Sequence, residues 1–207
     1  MRFKWIVLLS ASGMLALLAC LLSAHGGNAV NSTPFIALSS VSVPEIPAKA
    51  ADLVHAAAVA DREQTAQEVL HDVSVMARPG VLPYVVSAIC RGNPEAAGTA
   101  VATAIELRPE DVLIFSRAAL YAAPGQVEQI VFSACRATPP SCANVALVAS
   151  RQLPSANNLI LTAFASAMPN LQPYLEKAEI EVGTNHCEDV IMRTVNLFND
   201  DLKAQAK

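Results

Sequence analysis

The chain has 207 residues, a formal net charge of −4, 53% hydrophobic and only 15% charged residues. That length fits one domain plus a targeting segment. The acidic balance, with no basic patch or interleaved aromatic and basic residues, argues against nucleic acid as a partner.

The first segment, residues 1–24, reads as an export signal. Met1 to Lys4 form a basic start, Trp5 to about Leu22 is an apolar run, and Ser23 and Ala24 are small residues suited to a cleavage point. Two variants accompany the cleaved form. Leu17-Leu18-Ala19-Cys20 resembles a lipobox, which would make Cys20 the lipidated residue, although Leu21 and Leu22 continue the apolar run past it. The run also approaches the length of an uncleaved anchor. All three routes export the rest of the chain, to a periplasmic, secreted or N-terminally anchored location. Without Arg2 and Lys4 that part carries a net −6.

Residues 25–48, rich in Ser, Asn, Gly and Pro, read as a flexible linker. The helical domain is expected over 49–207. Its first stretch, 49–77, is free of proline and helical in pattern, as one long helix or two units.

A repeat follows. Pro79, Pro94, Pro109, Pro124, Pro139, Pro154 and Pro169 are spaced fifteen residues apart. Counting each proline as position 1, position 7 reads Val85, Ala100, Phe115, Ile130, Val145, Ile160 and Leu175. Position 11 is apolar until Glu179, and position 4 is apolar until Asn157 and Gln172. Apolar residues at positions 4, 7, 8 and 11 make one stripe of a helix.

A single continuous helix is excluded. Seven interior prolines would cost about 20 kcal/mol at roughly 3 kcal/mol each. The stripe would also drift by about 60° per repeat. Separate helices that restart at each proline avoid both problems, because the residue before proline is pushed out of the α region. The predicted helices have 11–12 residues, too short to be stable alone, so they must stack.

The fold class is therefore all-α: an array of short antiparallel helices with a 15-residue, Pro-marked repeat, compact and α-solenoid-like. Two units should form a hairpin, with three helices per turn as the alternative. The unit is shorter than tetratricopeptide or HEAT units and carries none of their signatures. Asn93 and Thr138 suit N-caps, and Arg91, Arg136 and Arg151 suit helix C-termini. Gly183 should end the last unit. Asn185 and Glu188 then fit a capping-box start for a terminal capping helix that carries Val190, Ile191, Val195, Leu197, Phe198 and Leu202.

Four cysteines remain beyond Cys20, and an even number in an exported chain favours disulfides. Cys135 and Cys142 can meet across one turn, which leaves Cys90 with Cys187. Pairing Cys90 with Cys135 would instead require three helices per turn. His186, Cys187, Glu188 and Asp189 are the densest group of candidate ligands. As consecutive residues they scatter around a helix start and read as an acidic first turn rather than a metal site. His71-Asp72 reads as a solvated helix face. Phe115, Phe132, Phe164, Tyr84 and Tyr174 are expected to pack. Arg117, Tyr121, Arg136 and Arg151 either line one face or serve as ordinary surface and helix-end residues.

The sequence holds no G-x-S-x-G, H-E-x-x-H, Walker A, G-x-G-x-x-G, C-x-x-C or EF-hand pattern. No catalytic residue, metal or cofactor is therefore assigned. The expectation is a non-enzymatic, exported helical-repeat protein that binds a protein or peptide partner. Its alternatives are a self-associating structural component, or a small enzyme or metal-binding protein built on His186, Glu188, Asp189 and a distant residue such as His71.

Overall fold

The structure is a computed structural model that describes residues 33–76, 79–183 and 186–206. The export segment and Cys20 lie outside the described residues. Those residues contain eleven α-helices and no strand. They are α1 (Thr33–Ser39), α2 (Ile46–Ala56), α3 (Arg62–Val75), α4 (Leu82–Gly92), α5 (Ala97–Leu107), α6 (Val112–Ala122), α7 (Val127–Ala137), α8 (Cys142–Gln152), α9 (Asn157–Ala167), α10 (Gln172–Val182) and α11 (Cys187–Gln205).

Each proline-marked unit is built the same way. Positions 1–3 form a 3-10 turn, positions 4–14 an α-helix of 11 residues, and position 15 the break. From Asn93 to Met168 the position-15 residues have φ between −147° and −127° and ψ between 65° and 77°. This is the displacement from the α region that a following proline imposes. The break is closed by backbone alone. The position-15 N–H donates to the position-11 carbonyl (Asn93 to Ile89, 2.8 Å), and its carbonyl accepts from position 3 of the next unit (Ala96 N–H, 3.0 Å). Asn93 and Thr138 therefore do not act as side-chain caps. Asn93 is fully buried, and its Nδ2 donates to the Ala51 carbonyl on α2 at 3.2 Å. This is also why Arg108, Ala123, Leu153 and Met168 serve equally well at the same position.

The proline contributes mainly by restricting the unfolded chain. Pro109→Ala should cost only about 0.4–1 kcal/mol in urea unfolding. A loss near 3 kcal/mol would assign Pro109 a packing role that this geometry does not give it.

Packing follows a simple rule. Each repeat helix packs most extensively on the helix two places along the chain and less on its immediate neighbour. The array thus has two layers, α1–α3–α5–α7–α9 and α2–α4–α6–α8, with two helices per turn. Within the repeats, no extensive packing joins helices three apart among the described residues. One continuous core lies between the layers, formed by positions 4, 7, 8, 11 and also 12. Position 12 joins because it meets position 4 of the next helix. Fully buried Phe115 and Phe164 are its largest side chains. Within a layer the approach is close: a Cβ on Gly98 of α5 would lie 2.7 Å from Gln129 Cγ and 2.8 Å from Ser133 Oγ on α7.

The structure corrects the boundary expected at residue 48. Residues 33–39 and 43–56 are helical, and Leu38, Ile46 and Ala50 are fully buried in the core. Of the expected linker, 33–48 is therefore part of the array, and 25–32 lies outside the described residues. Residues 49–77 divide between two units, α2 and α3.

The seventh unit breaks the rule. Its stripe is polar at Gln172, Glu176 and Glu179, so α10 buries only Leu175 and Ala178 and does not take the next place on α8. That place goes to α11, which buries Cys187, Val190, Ile191 and Thr194. Gly183, the only glycine with positive φ among the described residues (89°), makes the turn between them. The pair is held by Tyr174 against Phe198 (5.5 Å, edge-on), by Tyr174 O–H donating to Asp201 (2.6 Å), and by Arg193 with Glu181 (2.7 Å). Asn185 lies outside the described residues. Glu188 makes no capping box, because its carboxylate accepts from Arg151 on α8 at 2.8 Å.

Candidate interaction surface

The burial pattern fixes what faces outward. If positions 4, 7, 8, 11 and 12 point inward, positions 6, 9 and 13 point away from the core at 100° per residue. Position 2, in the 3-10 turn, is also exposed, whereas position 10 lies on the same side but is buried at Thr103, Val148 and Ala163. In the α2–α4–α6–α8 layer this outer face carries Tyr84 and Arg91 on α4, and Ile114, Arg117 and Tyr121 on α6. Tyr84 is 68% and Tyr121 76% exposed. Tyr84 is thus a surface residue and not the packing residue its aromatic ring suggested. Phe132 is also partly exposed, at 39%.

The described arginines of the molecule divide into paired and unpaired ones. Arg62 pairs with Glu95, Arg108 with Asp111 and Glu110, Arg151 with Glu188, and Arg193 with Glu181. Arg91, Arg117 and Arg136 have no ion pair among the described residues. Arg91 and Arg117 share one layer, whereas Arg136 lies on α7 in the other. The four residues Arg117, Tyr121, Arg136 and Arg151 therefore do not form one face.

Along α4 the outer face is hollow. Positions 2 and 9 hold the small residues Gly80 and Ser87, where the unit of α6 has Glu110 and Arg117, and position 10 is alanine in both (Ala88 and Ala118). The result is a furrow of about 500 Å³ bounded by Tyr84 and Arg91, with Val43, Pro44 and Pro47 from the start of the array as its other wall. A side chain on Gly80 would project into open space. Sequence reading missed this feature, although the small residues at those positions were a visible signal.

Two other grooves lie in the opposite layer and at its end. One, about 330 Å³, runs between α7 and α9 beside Phe132 and Leu159. The other, about 470 Å³, separates α9 from the displaced α10 and is edged by Glu176 and Glu179.

The His186 group lines a small pocket of about 320 Å³ with Ser150 and Asn157. His186 Nδ1 lies 3.9 Å from Asp189, both exposed, and Glu188 is engaged with Arg151. Among the described residues no three His, Cys, Asp or Glu are placed to hold a metal ion. His71 sits on α3, far along the array from α11, so it does not join this group. Of the His71-Asp72 pair only His71 is exposed; Asp72 is buried at 3%.

Cys135 and Cys142 are joined as a disulfide between α7 and α8, with Cα atoms 4.4 Å apart. Cys90 and Cys187 are free and buried. The expected Cys90–Cys187 pairing is not formed, because the two belong to distant junctions: Cys90 Sγ faces the Ala97 carbonyl, and Cys187 Sγ faces that of Asn157. Burial pushes the Cys90 thiol up to about 12. Burial, with Glu188 adding to it, pushes Cys187 to about 11. The Cys90 thiol thus stays protonated at pH 8, and the thiolate is the nucleophile. In native protein both thiols should therefore resist iodoacetamide, and both should react promptly in urea. Rapid native alkylation of Cys90, read by mass spectrometry, would contradict the burial.

Among the described residues no helix is long and apolar enough to cross a membrane. Comparison with protein-family models, curated proteins and solved structures finds no match.

Proposed function

We propose that this is an exported, non-enzymatic helical-repeat protein that binds a protein or peptide partner through the outer face of the α2–α4–α6–α8 layer. The observation that carries this reading is the exposed Tyr84, Ile114 and Tyr121 set among the unpaired Arg91 and Arg117 on one layer of a repeat scaffold. Aromatic and arginine side chains are the usual anchors of protein interfaces, and stacked repeats supply extended binding surfaces. Export is supported by the basic and apolar character of residues 1–24, and by a disulfide of the kind that persists in oxidising compartments.

The test is crosslinking in the native cells, followed by mass spectrometry of what purifies with the protein under non-reducing conditions. A single recurrent envelope partner crosslinked to α4 or α6 is expected. The same spectra should place the mature N-terminus after about residue 24, or a lipid on Cys20. Recovery of self-linked chains alone would contradict the interaction reading.

A second reading, self-association in a structural role, is favoured by one feature. The displaced α10 leaves Ile180 87% exposed at the end of the array, where a groove also lies open between α9 and α10. Sedimentation across a hundredfold range of concentration separates the two: a constant monomer mass rejects self-association.

A further inference from the structure

Resting on that interaction reading, the geometry points to a ligand class for the α4 furrow: an extended peptide segment that presents an apolar side chain next to a carboxylate. Three observations carry it. Among the described residues Arg91 is the only charged one lining the furrow, and it has no acidic partner there. In a chain of net charge −4 such a cation is complementary to an anion and repels other cations. A guanidinium matches a carboxylate in a bidentate pair.

The rest of the lining is apolar or small. Val43, Val81 and the Tyr84 ring offer contact area, while Pro44 and Pro47 form a wall with no N–H to donate. Such a wall suits an extended or polyproline-type backbone, which makes no internal hydrogen bonds and is read through its side chains. The furrow, about 500 Å³, is within the range of small-ligand sites, and it runs along the surface of α4 as a channel. A channel of this form accepts a passing chain, whereas a free fatty acid needs an enclosed apolar cavity for its tail.

The experiment uses the mature protein purified from its native cells. The probe is a bead-displayed library of random octapeptides, half with free and half with amidated C-termini. Enriched peptides should carry Asp, Glu or the terminal carboxylate within three residues of an aliphatic or aromatic side chain. The two halves show whether the carboxylate comes from a side chain or from the terminus. Arg91→Gln should weaken the best resynthesised peptide by about 10–100-fold, the scale of a lost charged hydrogen bond. Gly80→Leu fills the furrow from open space, so it should also abolish binding while the circular dichroism melt stays unchanged. Arg136→Gln, an unpaired arginine in the other layer, should leave the affinity as it was.

Enrichment of peptides without a carboxylate, or binding indifferent to both Arg91→Gln and Gly80→Leu, overturns the furrow assignment. If a crosslinked partner is nevertheless found in cells, the interaction reading stands without it. If no peptide binds but laurate binds in an Arg91-dependent way, the peptide source is wrong. If no peptide binds and cells yield only self-linked chains, both readings fall.

Discussion

Phe115→Ala should remove about 3–5 kcal/mol from the unfolding free energy, whereas Tyr84→Ala should cost less than about 1 kcal/mol. Both are aromatic, both lie in the α2–α4–α6–α8 layer, and their unit positions, 7 and 6, are adjacent. One residue of helix turns the side chain by 100°, enough to carry it from the core to the surface. Phe115 is fully buried and Tyr84 is 68% exposed. Truncating Phe115 loses its transfer energy and leaves a cavity between layers too closely packed to collapse around it. Truncating Tyr84 removes a ring that already faces water. Urea unfolding of both variants measures the difference. Equal losses would mean that the outer face of α4 is covered and that the furrow does not exist.

The second large effect concerns the Cys135–Cys142 bridge and its unpaired counterpart. Replacing both cysteines by serine should cost about 2–3 kcal/mol, the chain-entropy value for a short loop. The repeat then makes a further prediction. Cys90 occupies position 12, as Cys135 does, and Ala97 occupies position 4 of the following unit, as Cys142 does. The sulfurs sit alike, Cys90 Sγ at 4.0 Å from the Ala97 carbonyl and Cys135 Sγ at 3.6 Å from the Cys142 carbonyl. Ala97→Cys should therefore close a second bridge with Cys90 and add a similar 2–3 kcal/mol under oxidising conditions. Reductant should cancel the gain. A free thiol at residue 97 by intact mass after oxidation would show that successive junctions are not equivalent.

The proline spacing made most of the array legible. It gave helix length, helix starts, four of the five buried positions and the stop at Gly183, because each follows from local backbone chemistry repeated in register. The misses share one cause, that they depend on what packs against what. Residues 33–48 read as a linker because Pro44 and Pro47 fall outside the 15-residue frame, and Pro34, which falls in it, is separated from Pro79 by Lys49 and Gln64 at the two intervening places. The burial of Leu38 and Ile46 comes from contact with later helices. Asn93 read as a cap because its type suits one, yet a backbone closure left its side chain free to reach Ala51. The loss of α10's place to α11 is a competition between two faces. Gln172, Glu176 and Glu179 were the visible sign that α10 would lose it. Pairing Cys90 with Cys187 by elimination ignores that their helices lie several turns apart.

For the candidate surface, the types of the exposed residues were readable but their grouping was not. Arg117, Tyr121, Arg136 and Arg151 look alike in sequence, and only the alternation of layers separates Arg136 from the others. The furrow is defined by what is missing at Gly80 and Ser87, and a missing side chain leaves a weak signal unless the unit positions are compared across repeats.

The two-layer stack underlies both the core and the outer face, and spin-label distances test it most directly. Labels would be placed in pairs at Arg91 with Tyr121, and at Arg91 with Arg136, in a background in which Cys90 and Cys187 are serine. Arg91 and Tyr121 hold the same unit position on helices two apart, so their backbones should lie about 8–10 Å apart and show strong dipolar broadening. Arg91 and Arg136 hold that position three helices apart, in opposite layers, and should show little. Strong broadening for Arg91 with Arg136 and none for Arg91 with Tyr121 would mean three helices per turn, and would contradict the two layers and the face built on them.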